Sequence, residues 1–122
     1  MEKPVEINLN VLADICHADN EKWWYDLDSG ARLNRNFGEL IALCHSELSE
    51  ALEGDRKSLM DDKLPHRKSV EVELADCLIR IFDLAGAYNM DLDGAFWEKR
   101  AYNKTRIDHT HEHRKGQNGK KY

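Results

Sequence analysis

The chain of 122 residues holds only two prolines and three cysteines, and aromatic residues make up 8% of it. Each scarcity narrows the reading. Cys16, Cys44 and Cys77 stand singly within apolar-periodic segments and form no C-x-x-C pair, so they read as reduced core thiols and not as zinc ligands. No apolar run reaches the length that spans a bilayer, and no basic-then-apolar signal segment opens the chain; the expectation is a cytoplasmic protein without a membrane partner. Positive charge is in deficit too. Against 18 Lys and Arg stand 23 Asp and Glu, a formal net charge of −5, which argues against broad binding to nucleic acid. There is no glycine-rich phosphate loop, no G-x-S-x-G nucleophile motif, no repeat and almost no strand alternation.

What the chain does have is helical periodicity. Leu9, Leu12, Ile15 and Cys16, followed by Trp23-Trp24-Tyr25, predict a first helix over about 8–24. Ser29-Gly30 marks a loop. Phe37, Leu40, Ile41, Cys44, Leu48, Ala51 and Leu52 predict a long second helix ending near Gly54. A charged connection containing Pro65 follows, and Ser69 is the expected N-cap of a third helix with Val70, Leu74, Cys77, Leu78, Ile81, Phe82 and Ala85 on its core face. Asp91 is the expected N-cap of a fourth helix running to about Arg106. From Ile107 the sequence is polar and aperiodic, a tail over 107–122. Four helices with short links make an all-α chain, most simply a four-helix bundle and one domain over 1–122.

Two carboxylate pairs carry the chemistry. Glu47 and Glu50 lie at i, i+3 in the second helix and Glu73 and Asp76 at the same spacing in the third, so each pair shares a face beside the apolar stripe. The 22 residues between Glu50 and Glu73 include Gly54 and Pro65 and can reverse the chain, which lets the two faces meet. Four converging carboxylates repel one another unless a cation neutralises them, and an all-oxygen site suits hard ions such as Mg²⁺ or Mn²⁺. More than one such ion could bridge to a polyphosphate and lower the pKa of a bound water. The plain alternative is that these are solvated acids on a highly charged surface.

In the fourth helix Lys99, Asn103 and Arg106 recur at i, i+4 and i+7 and could grip phosphate or sugar, or simply form a basic face that favours the helix C-terminus. Trp23 and Trp24 could stack a nucleobase, or plug a core edge or an oligomer interface. His109, His111 and His113 alternate as H-T-H-E-H in the tail, a pattern that reads as a segment binding stray metals weakly. His17 and His45 read as packed helix residues.

The segments H-S-E-L-S-E-A-L-E-G (45–54), E-L-A-D (73–76) and K-R-A-Y-N-K-T-R (99–106) together resemble the MazG-like all-α nucleoside triphosphate pyrophosphohydrolases over about residues 34–106. The resemblance implies conversion of a nucleoside triphosphate to its monophosphate and pyrophosphate. It implies Mg²⁺ or Mn²⁺ on Glu47, Glu50, Glu73 and Asp76, substrate contacts from Lys99 and Asn103, and a homodimer or homotetramer joined through helices. In the deoxycytidine triphosphatase branch a Trp stands seven residues after the second Glu and a Tyr four after the Asp; here Lys57 and Arg80 occupy those positions. Either cation could donate to O6 and N7 of guanine, so the lean is toward guanine nucleotides. The competing reading is a non-catalytic helical oligomer that senses nucleotides. A di-iron carboxylate bundle is disfavoured, because neither carboxylate helix holds a Glu-x-x-His pair.

Overall fold

Asn36 and Asp91 begin two of the helices by the same device: the side-chain oxygen of each accepts the backbone N–H three residues on, from Glu39 at 3.1 Å and from Gly94 at 2.9 Å. The computed structural model describes residues 3–106 and 111–122. Its helices are α1 (Leu9–Asp19), α2 (Phe37–Arg56), α3 (Ser69–Ala87), α4 (Leu92–Thr105) and α5 (His111–Lys115), with a 3₁₀ turn at Glu21–Trp24. Among the described residues extended pairing is confined to two isolated bridges, Tyr25 with Arg32 and Met60 with Lys68. The chain is all-α, as its periodicity requires. No helix among the described residues is long and apolar enough to cross a membrane.

Boundaries differ from expectation in four places, each for a local reason. The first helix stops at Asp19, because the Asn20 side chain donates to the Cys16 carbonyl at 2.8 Å and the backbone tightens into the 3₁₀ turn that carries Trp24 inward. Ser69 is the first helical residue and not the cap; its N–H is taken by the Leu59 carbonyl at 3.0 Å, beside the Met60–Lys68 bridge. Gly54 lies inside α2, which continues to Arg56. The supposed tail contains α5, against which the chain end folds: the Arg114 guanidinium donates to the carbonyls of Lys120 (2.8 Å) and Lys121 (2.5 Å).

Both α2 and α3 end by one mechanism. Past Lys57, Ser58 adopts φ +51°, so that its N–H meets Asp55 O and the Leu59 N–H meets Gly54 O. Past Tyr88, Asn89 adopts φ +52°, with its N–H on Gly86 O and the Met90 N–H on Ala85 O. These paired bonds satisfy carbonyls that a helix end otherwise leaves open.

Residues 9–90 form one compact unit in which α3 packs on both α1 and α2. Its core is Trp24, Leu40, Cys44, Cys77 and Leu84, with Ile81, Tyr25 and Ala87 against them. Gly86 lets α1 approach: a Cβ there would lie 2.5 Å from Ala13 O and 2.8 Å from the His17 Cβ. The second unit joins the N-terminal residues to the chain from Asp91 onward. Here the buried Asp93 accepts from the Trp97 indole at 3.0 Å and pairs with Lys3 at 2.6 Å, and the Lys3 ammonium lies 5.8 Å from the Trp97 ring. A buried carboxylate is thereby both paired and hydrogen-bonded, which offsets its desolvation.

Candidate functional site

On α2 the buried residues are Leu40, Cys44, Glu47, Ala51 and Gly54, a 4-3-4-3 spacing in which one member is charged. Glu47 thus sits within the apolar row and not beside it, 8% exposed. On α3 Glu73 precedes Cys77 by one turn, and Asp76 precedes Arg80 and Asp83 by four and seven residues. Packing of α2 on α3 therefore turns acids from both helices toward one another.

Oxygens of Glu47, Glu73 and Asp76 lie within 4.8 Å of one another, close enough to share one cation. Burial pushes the Glu73 carboxyl up to about 8, reinforced by the carboxyls of Glu47 and Glu50 beside it. Asp76 is also raised, first by burial and then by Glu47, with Arg80 opposing and Asp61 and Glu50 adding. Glu50 is solvent-exposed and enters the cluster through Glu73. Among the described residues the buried Oε2 of Glu73 has no hydrogen-bond partner. An oxygen-only donor set with an orphaned buried carboxylate oxygen fits a hard divalent cation.

Beside this cluster opens a cavity of about 610 Å³. Glu47 and Asp76 line it together with Arg80, Asp83, Arg35 and Trp23, over apolar side chains of Leu33, Leu43 and Ile79. The Arg80 Nε donates to Glu47 Oε1 at 2.8 Å, so this cation holds a cluster carboxylate and faces the cavity. Trp23 is 61% exposed with the Lys22 ammonium 5.6 Å from its ring centre, which leaves an indole available for stacking. A tight loop sets these walls: Asp26 N–H meets Ala31 O at 2.8 Å, Gly30 turns at φ +71°, and Leu33 N–H meets Trp24 O at 2.8 Å.

Two of the expected substrate residues are used elsewhere. Trp24 is 2% exposed, its indole N–H donates to Asp83, and Arg32 and Arg35 lie 5.2 and 5.1 Å over its ring, so no face is left for a base. It is a core residue. Lys57 is exposed at the end of α2, where it pairs with Glu53 at 2.6 Å, and it does not line the cavity. In the second unit Lys99 and Asn103 line a groove of about 660 Å³ on α4, floored by Leu92, Ala95 and Phe96. Lys99 and Arg106 lie 4.8 and 5.8 Å from the Tyr102 ring centre, and Asn103 Oδ1 is buried without a hydrogen-bond partner among the described residues. His109 lies outside the described residues; His111 and His113 are exposed on α5.

Two contributors escaped the sequence reading. Asp61 is buried and acts on Asp76 while its Oδ2 accepts from the N–H groups of Lys63 and Leu64. Asp83 accepts from Trp24 and meets His17 Nδ1 at 2.9 Å. Its spacing of seven from Asp76 was the available signal. Comparison of the chain with family models, curated proteins and solved structures gives no match.

Proposed function

We propose that the chain hydrolyses a nucleoside or deoxynucleoside triphosphate to the monophosphate and pyrophosphate, using Mg²⁺ or Mn²⁺. One observation carries the reading: the α2 and α3 acids converge at the edge of a cavity that also presents a guanidinium and an exposed indole. Glu47, Glu50, Glu73 and Asp76 would hold the cation or cations. Bound there, a divalent ion supplies positive charge to phosphoryl oxygens and acidifies water.

The chain's own groups divide the remaining work. Arg80 can offer its fork to a phosphate oxygen while still adjoining Glu47. Without a cation, burial and the neighbouring carboxyls push Glu73 up to about 8, so cation binding near neutral pH would displace its proton. Trp23 offers a π-face to a base, and Leu33, Leu43 and Ile79 add apolar contact to the same cavity. Lys99, Asn103 and Arg106 are proposed as phosphate or sugar contacts on the strength of the sequence resemblance, and a homodimer or homotetramer as the working assembly.

A screen of the eight common ribo- and deoxyribonucleoside triphosphates with Mg²⁺ or Mn²⁺, separating pyrophosphate from single phosphate, tests the reading. Pyrophosphate and monophosphate in equal amounts, abolished by a chelator, are expected. Single phosphate as the product would reject it, and nucleotide binding without any product would favour the sensing module.

A further inference from the structure

We infer that Asp83 is the base-reading residue of the cavity and that it selects guanine. This inference rests on the nucleotide reading of the site. Asp83 lies on α3 seven residues beyond Asp76, about 10 Å along the axis at a rise of 1.5 Å per residue. That interval is of the order separating the phosphates from the base edge in an extended nucleotide. Both residues line the same cavity, with Arg80 between them and Trp23 on its wall.

The chemistry of Asp83 fixes the class of base. Its side chain is 15% exposed, and Oδ1 meets His17 Nδ1 at 2.9 Å and the Trp24 indole N–H at 3.1 Å. Among the described residues Oδ2 has only the longer 3.3 Å arm of the same indole. A carboxylate has about four acceptor sites, so those that remain are concentrated on Oδ2. His17 and Trp24 hold the group in one orientation, and an oriented acceptor discriminates where a mobile one does not.

Guanine presents N1–H and the 2-amino group side by side, two donors with no acceptor between them. Cytosine and adenine each offer one amino donor next to a ring-nitrogen acceptor that a carboxylate repels. Uracil and thymine flank a single N–H with two carbonyls. Of the common bases guanine alone matches Asp83. Arg35, on the cavity wall and 5.1 Å over the Trp24 ring, supplies the opposite sign that guanine O6 requires. Selection thus shifts from Lys57 and Arg80, which are engaged with Glu53 and Glu47, to Asp83.

The test is equilibrium binding of GMP, IMP and CMP, followed by calorimetry on the full chain, with pyrophosphate release measured separately. IMP keeps N1–H and lacks the 2-amino group. The wild-type chain is expected to bind GMP at least about tenfold more tightly than IMP or CMP. Asp83→Asn should bring GMP and IMP to within about twofold, whereas Trp23→Ala should weaken both alike and leave their ratio unchanged. Equal binding of GMP and IMP by the wild type, no binding of either, or an unchanged ratio in a folded Asp83→Asn chain would overturn the inference. The wild-type comparison needs no variant to fold. A GMP preference without triphosphate turnover sinks the pyrophosphohydrolase reading alone, and turnover without discrimination sinks the Asp83 assignment alone.

Discussion

Glu73 has the most consequential single side chain in the cavity region, because it holds a proton in the folded chain that an unfolded chain releases. Its carboxyl moves from an ordinary 4.5 up to about 8 through burial and its acidic neighbours. Between those values the folded state binds more protons, so stability falls as pH rises. The melting temperature of chelator-treated protein should therefore decline from about pH 5 to about pH 8 and level off above that, and Glu73→Gln should flatten the decline. A rising or level curve in the wild type would contradict this placement of Glu73. Mutation of its neighbours addresses turnover. Glu50→Gln and Asp76→Asn should each lower triphosphate hydrolysis at least about 100-fold, since loss of a ligand charge misplaces the cation. Their metal-free melting temperatures should be no lower than wild type, because each change relieves like-charge repulsion. Steady-state kinetics and calorimetry on the same preparations check both halves.

At the scale of elements, the apolar stripes announced four of the helices, but only part of each stripe is buried. Leu40, Cys44 and Ala51 on α2 and Cys77 and Ala85 on α3 are, whereas Leu12 and Ile15 on α1, Leu48 and Leu52 on α2 and Leu74 and Leu78 on α3 stay exposed, and the buried residue of α1 is Ala13. Ends were harder to read. Ser58 and Asn89 terminate α2 and α3 with positive φ, and neither is the glycine that usually marks such a site. Asn20 cut α1 short through a side-chain bond that periodicity does not encode. The acids were legible as pairs, but Glu47 within the buried row was not, because a reading that counts only apolar positions leaves a charged member out. Asp83 was invisible for a related reason: its partners, His17 and Trp24, come from more than 58 residues earlier in the chain. Helix approach gives the clearest element-scale expectation. Gly86→Ala should destabilise the 9–90 unit by about 2 kcal/mol or more, because the new methyl meets the Ala13 carbonyl, which is backbone and cannot rotate away. Ser58→Gly should stabilise by about 1 kcal/mol by removing left-handed strain. Urea unfolding of the two variants should shift in opposite directions.

The 9–90 unit carries apolar surface that its own helices do not cover. Leu48 and Leu52 on α2 and Leu74 and Leu78 on α3 are 47, 61, 47 and 53% exposed, each pair one helical turn apart. Rows of this kind suit contact with a second copy of the chain, the assembly proposed above. Light scattering at micromolar concentration should give at least twice the 14.2 kDa of one chain, and Leu52→Asp with Leu78→Asp should return it toward that value. A monomeric wild type would remove the oligomer from the proposal and leave the cavity untouched.

The buried interface between α2 and α3 contains its own clock. Cys44 lies three residues before Glu47, Cys77 directly follows Asp76, and the Cys77 thiol donates to the Cys44 carbonyl at 3.5 Å. Both sulfurs are buried, whereas Cys16 is half-buried. A thiol reagent should reach Cys16 early and the other two only when α2 and α3 part. The lag between the first and the later modifications measures how often the floor of the carboxylate cluster opens. A ligand that draws those helices together should lengthen it, and the readout requires neither catalysis nor a substituted residue.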